Sequence, residues 1–479
     1  FPKFNGGASS DNDKLLTVEQ WGNIQWQSMS YAFSGFSILT INATDQPDMN
    51  NVTDMSYMFY EADSMNSPNI STWDVSNITN MGGLFSNAGS FNQNLNNWDV
   101  SNVTNMSYMF NESSFNQLLN NWDVSNVTDM SSMFYDSIYD QPLNNWDVSN
   151  VTSMASMFRS TIFNQPLNDW DVSSVTDISG MFWSSIYNQP LNDWDVSNVT
   201  DMSEMFYLSN FNQPIESWDV SNVERMTYMF IYNYAFSQPL DNWDVSNVTY
   251  MYRMFFGSTY NQPLNNWNIE NVTDMREMFR FSDFNQPLNN WDVSNVQYMT
   301  SMFKDSSFNQ DISDWNISNV NSINSMFEDS NFNQDISSWT FNDGELDEFI
   351  KNSAMDSQNY GLLLGRFVQL GLENGNLDAD GLSYCDVFTR QVLINDLGWN
   401  ISNDVLADDC NINYISGNVR FDEDGNGCDP NDEAIEQFAV NTNDGQNDLS
   451  VLTDNQGDYL VTVNQGNFSV EMLNLPAFL

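Results

Sequence analysis

The sequence predicts a repeat solenoid of short parallel strands and short helical turns, followed by a C-terminal all-β antiparallel sandwich. Three observations predict this fold class. A tryptophan recurs every 24 or 25 residues from Trp73 to Trp339. A Met-x-x-Met-Phe motif or a close variant recurs at a similar spacing, from Met29 to Phe327. After residue 413 the pattern changes to short alternating runs bounded by Gly, Asn and Asp, which is typical of antiparallel strands.

The tryptophan lies in the segment that predicts the parallel strand. Leu119, Trp122 and Val124 form an L-x-x-L-x-L pattern with Trp in the middle slot, which is the strand signature of leucine-rich repeats. One repeat cannot bury its own Trp, Met and Phe, whereas stacked repeats cover one another. The strands are therefore expected to form one parallel sheet, with ~4.8 Å between successive repeats.

The methionines predict the helical turn. Met130, Met133 and Phe134 are spaced i, i+3, i+4, which suits a short helix or 3₁₀ turn with one buried side. Thr128 or Asp129 is a natural N-cap for it. A parallel β-helix is the nearest alternative architecture, and the short Met-rich helix argues against it. We expect both the Met and the Trp columns to be buried.

Four regions follow from these patterns. Residues 1–25 do not fit the repeat and are expected to cap its open end. Residues 26–339 form a thirteen-turn solenoid, and residues 340–412 form a C-terminal cap and tail. Within that tail, residues 345–370 are predicted to be helical. Residues 413–479 form the sandwich, and we expect this last domain to be truncated at its C-terminal end.

Composition excludes several classes of function. The formal net charge is −52, which disfavours binding to nucleic acid and to anionic membranes. There is no histidine, so a Ser-His-Asp or Cys-His mechanism is impossible in this chain. No 18-residue apolar run exists, and we expect no membrane insertion. The aspartates are periodic, whereas an active site would be unique, so we expect no enzyme.

An aspartate follows the tryptophan in most repeats. Neighbouring carboxylates in such a column repel one another by roughly 1 kcal/mol in water. Either the column binds cations, or each Asp accepts hydrogen bonds within its own turn, and the equally periodic Asn and Ser favour the second interpretation. The column comprises Asp74, Asp99, Asp123, Asp147, Asp171, Asp195, Asp219, Asp244 and Asp292.

The repeats differ most just after Met-Phe. These positions carry several aromatics and much of the scarce positive charge, and such residues are common anchors of interfaces. We name them the variable stripe and predict that it binds glycan or protein. A surface whose residues vary because they have no function fits the pattern equally well. The variable stripe comprises Tyr135, Arg159, Trp183, Tyr207, Tyr232, Phe256, Arg280 and Lys304.

The repeat NNWDVSNVTDMSxMF resembles the BspA-type leucine-rich repeats of bacterial surface proteins over roughly residues 26–339. This resemblance implies a secreted or cell-surface protein, often an adhesin, without a shared binding site. Residues 384–410 resemble the tail that follows such repeats in secreted proteins, and two cysteines bracket it. We therefore expect a Cys385–Cys410 disulfide, formed in an oxidising compartment, with one cysteine left free.

The last region carries a candidate calcium loop, DEDGNGCDPNDE. Residues 413–479 resemble the prealbumin-like B domains of bacterial adhesins. Strict counting puts Glu433 at position 12, where a bidentate ligand belongs, whereas alignment with the B domains gives the later roles to Asp429 and Asp432. The choice between Asp432 and Glu433 stays open. The candidate ligands are Asp422, Asp424, Asn426, the Cys428 carbonyl, Asp429, Asp432 and Glu433.

Two functions compete at this point. The first is a secreted or cell-surface adhesin that presents the solenoid to a glycan or protein ligand, with calcium in the C-terminal domain. The second is a structural spacer or stalk with no ligand of its own. The sequence leaves the ligand, the binding face and the oligomeric state open.

Overall fold

The computed structural model describes residues 14–341, 346–408, 410, 413–422, 432–443, 448–463 and 469–472. The chain divides into two compact units, Phe1–Ala354 and Met355–Leu479.

Backbone hydrogen bonds join each repeat of the first unit to the next. In the repeat that begins at Met130, four alternate N–H groups donate to carbonyls of the following repeat at 2.8–3.0 Å. The pairs are Met130 with Ser153, Ser132 with Ala155, Phe134 with Met157, and Asp136 with Arg159. We call these stacked segments the ladder. Its segments begin at Met29, Met55, Met81, Met106, Met130, Met154, Ile178, Met202, Met226, Met251, Met275, Met299, Ile323 and Leu346.

The helix predicted over Met130–Phe134 is wrong, because the segment is a run of β-turns. Ser132 and Asp136 have φ values of 55° and 49°, in the left-handed region. The Met133 N–H donates to the Met130 carbonyl at 3.2 Å, closing a turn whose third residue has positive φ, as a type II turn requires. Such a turn also brings residues i and i+3 together, so the Met spacing does not distinguish it from a helix.

The strand predicted over Leu119–Val124 is also misplaced. The Trp122 N–H donates to the Leu119 carbonyl at 3.1 Å, which makes this segment a turn. The parallel pairing lies instead beside the methionines, as single-residue bridges such as Asp129 with Ser153. The ladder therefore forms on the Met-rich side, where the short helix had been expected. Because that helix is not there, the argument against a parallel β-helix no longer applies.

The tryptophan connects repeats in another way. Trp122 is buried, and its indole N–H donates to the Leu95 carbonyl of the preceding repeat at 2.9 Å. Its ring stacks on Trp146 with centroids 6.3 Å apart. Phe134 stacks on Phe158 at 5.8 Å in the same manner. The Met and Trp columns are buried throughout, which confirms the prediction that they form the core.

Polar columns complete the stacking. The Asn116 N–H donates to the Asn92 side-chain oxygen at 2.9 Å, and the Asn116 side-chain oxygen accepts from the Asp140 N–H at 3.0 Å. The Asn126 amide donates to the Ser101 carbonyl of the preceding repeat at 2.7 Å. The periodic asparagines therefore satisfy backbone groups of the neighbouring repeat as well as shaping turns.

Both ends of the first unit extend the pattern. Strand β1 (Thr17–Val18) pairs in parallel with β2 (Thr40–Ile41), and a 3₁₀ helix spans Pro68–Thr72. At the other end, the Phe327 N–H donates to the Phe349 carbonyl at 2.9 Å. The segment from Leu346 is thus one more ladder segment, and the helix predicted over residues 345–370 begins only at Ser357.

The second unit opens with helices and short parallel strands. Helix α1 spans Ser357–Leu370 and α2 spans Val387–Asn395. Strand β3 (Asn376–Asp378) pairs in parallel with β5 (Asn400–Ser402), and β4 (Ser383–Tyr384) pairs in parallel with β6 (Val405–Leu406).

These strands keep the geometry of the repeats. The Trp399 indole N–H donates to the Leu372 carbonyl at 2.6 Å across 27 residues, the same separation as between Trp122 and Leu95. Cys385 and Cys410 form a disulfide with their Cα atoms 5.4 Å apart, which confirms the predicted pairing.

Antiparallel strands follow. They are β7 (Asn413–Asn418), β8 (Arg420–Phe421), β9 (Glu433–Ala434), β10 (Ala439–Asn443), β11 (Asp448–Leu452), β12 (Asp458–Val463) and β13 (Ser469–Met472). The pairings are β12 with β7, β8 with β9, and β10 with both β11 and β13. Val419, Phe438 and Val440 form a small core among them.

The left-handed residues give a test of the ladder. Ser156 has φ 57° inside the motif Met154–Phe158. We expect Ser156→Gly to leave stability unchanged or raise it by up to about 1 kcal/mol, and Ser156→Val to lower it by about 1–2 kcal/mol, because only glycine is unstrained there. Urea unfolding measures both.

The neighbouring Ala155, which lacks a positive φ, is the matched control. At Ala155 the order of the two substitutions should reverse: Ala155→Gly should lower stability more than Ala155→Val does. If Ser156→Gly instead lowers stability as much as Ala155→Gly does, the left-handed turn at Ser156 is wrong.

Candidate binding surface on the ladder

The ladder has an outer face made of the residues that alternate with the buried ones. In the repeat at Met130, Asp129, Ser131 and Tyr135 are partly exposed and Asp136 is exposed, whereas Met133 is buried. All six Lys and Arg residues of 26–339 are at least partly exposed; five occupy an outer position of this kind, and Arg253 occupies the position that corresponds to the buried Ser132. The six residues are Arg159, Arg225, Arg253, Arg276, Arg280 and Lys304. The scarce positive charge of the repeats is thus confined to one face.

The variable stripe lies on this outer face rather than on a separate helical side, although one of its members, Phe256, is buried. Seven of its members share one ladder position, the fifth residue after the first Met or Ile of the segment: Tyr135, Arg159, Trp183, Tyr207, Phe256, Arg280 and Lys304. Tyr232 occupies the next position, because Ile231 takes the shared one and is buried.

The first half of the variable stripe is a continuous stack. The Arg159 guanidinium carbon lies 3.3 Å from the centroid of the Trp183 ring and 5.3 Å from that of Tyr135. The ring centroids of Trp183 and Tyr207 are 4.4 Å apart. The planar groups of four successive repeats therefore contact one another, which limits how far each can turn toward a partner.

The second half belongs to a wider cluster, which we call the arginine-aromatic patch. The patch comprises Tyr228, Tyr250, Tyr252, Arg253, Phe256, Arg276, Glu277, Arg280, Phe281 and Tyr298. Arg253 lies between Tyr252 and Phe256, because its guanidinium carbon is 5.1 Å from the Tyr252 ring centroid and 5.0 Å from that of Phe256.

Two more arginines lie against rings at the edges of the patch. Arg276 lies 4.9 Å from the Tyr252 ring and 5.4 Å from the Tyr298 ring. Arg280 lies 4.7 Å from the Phe281 ring. Such contacts are each worth about 0.5–1 kcal/mol at exposed sites. They hold the rings and guanidinium groups in place before any ligand arrives.

Carboxylates neutralise the arginines of the patch. Glu277 accepts two bonds from one Arg253 nitrogen, at 2.8 and 2.9 Å, and one from Arg280 at 3.0 Å. The Asp274 carboxylate accepts from Arg276 Nε at 2.9 Å, and this bond raises the pKa of Arg276. Burial and the negative charge of Glu277 raise the pKa of Tyr252 to about 12. Arg276 is therefore charged and Tyr252 neutral near neutral pH.

The sequence prediction missed much of this patch. It considered only the residues after Met-Phe, whereas Tyr250, Tyr252 and Arg253 lie before and within the motif. A signal was present, because the segment Thr-Tyr-Met-Tyr at 249–252 has tyrosine at the two outer positions where the consensus Thr-Asp-Met-Ser has Asp and Ser.

The chain matches the family model described as "Mycoplasma protein of unknown function, DUF285" in four overlapping segments. They are residues 27–139, 113–210, 184–283 and 258–360. Together they cover more than half of the chain. The chain belongs to this family. No curated protein matches it. The DUF285 match ends at residue 360, near the end of the ladder, and the arginine-aromatic patch lies wholly within it.

The aspartate column of the DUF285 repeats is occupied with internal hydrogen bonds. Asp147 accepts from the Ser149 N–H at 3.1 Å and from the Ser149 hydroxyl at 2.6 Å. These bonds lower the pKa of Asp147, with the side-chain bond the larger cause. The same pair of bonds recurs at Asp74, Asp99, Asp123, Asp171 and Asp195. The hydrogen-bonding interpretation of the column is confirmed.

The candidate calcium loop lies beyond the DUF285 match, and the structure describes only its two ends. Asp424, Asn426, Cys428 and Asp429 are outside the described residues. Phe421 pairs with Glu433, and Arg420 donates to the Asp432 carbonyl at 2.8 Å.

Asp422 and Asp432 are thus the next opposed positions in the antiparallel register of β8 and β9. Within the described parts of the chain, no group of three or more His, Cys, Asp or Glu side chains could hold a metal. Among those same residues, no helix is long and apolar enough to cross a membrane.

The Asp147 bonds give a pH-dependent prediction. Because the folded-state pKa is depressed below 3.8, the stabilisation is present above pH 3.8 and is lost as the pH falls through the folded pKa. We expect Asp147→Ala to lower the free energy of unfolding by about 1 kcal/mol at pH 7, and the difference to shrink below about pH 3.8.

Urea unfolding of the two proteins at each pH gives the difference. Ser149→Ala should cost a similar amount, and the double variant should be no worse than the larger single loss. Additive losses would show that the two side chains act independently.

Proposed function

We propose that this chain is a secreted or cell-surface binding module, an adhesin, whose repeats form a solenoid that presents the arginine-aromatic patch to a glycan or protein ligand. The observation that carries the proposal is the concentration of part-exposed rings and arginines on one face of an acidic chain. Tyr250, Phe281 and Tyr298 are 43%, 47% and 41% exposed. Tyr and Arg are among the residues most enriched where binding energy concentrates.

Preorganisation supports the same proposal. The patch rings are held by cation–π contacts and the guanidinium groups by carboxylates, so binding would order few further side chains. The resemblance of the repeats to BspA-type surface repeats and of the C-terminal region to prealbumin-like domains agrees with display outside the cell. The C-terminal strands would then form a sandwich that serves as a stalk.

A spacer without a ligand of its own is the second candidate. It is favoured by the first half of the variable stripe, where Arg159, Trp183 and Tyr207 stack on one another and so satisfy their own planar faces. In that case the outer face would serve only to stiffen the repeats, and no ligand would saturate it.

A binding screen separates the two. The purified chain is applied to a glycan microarray and to intact bacterial and animal cells, beside the triple variant Tyr250→Ala, Phe281→Ala, Tyr298→Ala. We expect saturable binding by the native chain that weakens at least about a hundredfold in the triple variant, because each ring is expected to contribute more than ~1 kcal/mol.

The matched control replaces three exposed apolar residues of other repeats, Tyr108→Ala, Ile138→Ala and Ile162→Ala, and should bind as the native chain does. Absence of saturable binding to either surface would favour the spacer. Binding that the triple variant retains in full would place the ligand on another surface.

We also propose that the loop between β8 and β9 binds calcium, using oxygens of Asp422, Asp424, Asn426, Cys428, Asp429, Asp432 and Glu433. The register of the strands supports Asp432 rather than Glu433 as the closing ligand. Asp432 falls opposite Asp422, so these two side chains share one face of the strand pair, whereas Glu433, opposite Phe421, alternates to the other face. Carboxylate and carbonyl oxygens are the ligands that Ca²⁺ prefers.

Calcium should raise the thermal unfolding midpoint of the C-terminal transition in the full chain, because a ligand that binds only the folded state stabilises it. Asp422→Ala and Asp432→Ala should remove most of that rise. Glu433→Ala should remove less, and Glu436→Ala, an exposed acidic residue nearby, should remove none. If calcium does not change the unfolding midpoint, the proposed site is wrong. If Glu433→Ala removes more of the rise than Asp432→Ala does, Glu433 rather than Asp432 is the closing ligand.

A further inference from the structure

We infer that the ligand of the arginine-aromatic patch is an uncharged glycan chain that lies across several successive repeats. This inference rests on the proposed binding function and narrows its ligand. It follows from three properties of the patch: its charge balance, its chemistry and its repeat spacing.

The charge balance disfavours charged ligands. Arg253 and Arg280 bond Glu277, Arg276 bonds Asp274, and Lys304 bonds Glu328. An acidic ligand would have to displace these internal carboxylates and approach a chain of net charge −52. A cationic peptide would meet the guanidinium groups that already occupy those carboxylates. A neutral ligand has neither cost.

The chemistry of the patch matches sugars. A pyranose ring presents C–H faces, which pack on aromatic rings, and hydroxyl edges, which both donate and accept hydrogen bonds. Tyr250, Phe281 and Tyr298 offer part-exposed rings. Arg276, whose side chain is 46% exposed, offers N–H donors, and the tyrosine hydroxyls beside it both donate and accept, so one hydroxyl edge can use both.

The spacing of the patch fits a chain rather than a single sugar. Its residues come from four successive ladder segments, which begin at Met226, Met251, Met275 and Met299. Backbone hydrogen bonds join successive segments directly, which sets a step of about 4.8 Å, and the centroids of the stacked core rings Phe255 and Phe279 beneath the patch are 5.7 Å apart. A step of this size is comparable with one sugar unit of an extended glycan, so neighbouring sugars would meet equivalent positions of neighbouring repeats.

Titration calorimetry with defined oligosaccharides tests the inference. The probes are neutral gluco-, xylo-, manno- and N-acetylgluco-oligosaccharides of increasing length, with hyaluronan and heparin oligosaccharides and oligolysine as charged comparisons. We expect at least one neutral series to bind, with affinity rising with length and levelling off once the four segments are covered. Added salt should change this affinity little, because no net charge is neutralised.

Variants connect the binding to the patch. Tyr298→Ala should weaken binding of the neutral chain about tenfold, whereas Tyr298→Phe, which keeps the ring, should weaken it much less. Tyr108→Ala is the control and should have no effect. Native and variant proteins are compared by circular dichroism to exclude unfolding as the cause of any loss.

Three other results would overturn the inference, and they differ in which part of the proposed function remains valid. Tighter, salt-sensitive binding of heparin, hyaluronan or oligolysine at the patch would leave the binding module intact but identify a charged ligand. Failure of every neutral series, together with cell binding that Tyr250, Phe281 and Tyr298 control, would identify a protein ligand. If those rings control no binding at all, the inference and the proposed function fail together.

Discussion

The repeats depend on the backbone hydrogen bonds that join each ladder segment to the next. Every second N–H of a segment donates to the neighbouring segment. These donors can all point at the neighbour only if the turns between them keep the backbone N–H groups facing the same way. The left-handed residues, such as Ser132 and Asp136, make that possible, because each closes a turn and returns the chain to an extended course. The strain of a non-glycine residue at positive φ, about 1–2 kcal/mol, is offset by the bonds that it permits.

The remaining columns follow from this register. Once Met130 bonds to the residue before Met154, every side chain is placed above its counterpart one repeat earlier. Trp122 then reaches the Leu95 carbonyl, and the Asn116 side-chain oxygen accepts from the backbone of the next repeat. A polar residue in such a column is therefore as constrained as an apolar one, because it satisfies a backbone group of its neighbour.

The sequence predicted the repeat and its buried columns because Trp, Met and Phe recur with the period of the repeat, and residues one period apart stack on one another. It could not distinguish a helix from a type II turn, since Met130 and Met133 share a side in both. It also assigned the strand to Leu119–Val124, because an L-x-x-L-x-L pattern records buried positions and not hydrogen-bonding direction. The continuation of the same geometry at Trp399 was missed, although residues 399–403 read WNISN as residues 315–319 do, because no Met-x-x-Met-Phe motif follows them.

The candidate surface shows the same division. The variable stripe was found from sequence because its members share a position after Met-Phe, but Tyr250, Arg276 and Tyr298 join it only through the folded ladder. Each lies four or six residues before the stripe position of its own segment and yet on the same face. Arg253 contacts Phe256 of the stripe and Tyr252, against which Arg276 also packs. Since the same bonds fix the core and the outer face, a residue of the patch can change without disturbing the fold, provided that it keeps the backbone geometry of its position. The outer face is therefore the part of the repeat where binding specificity can vary most independently of stability.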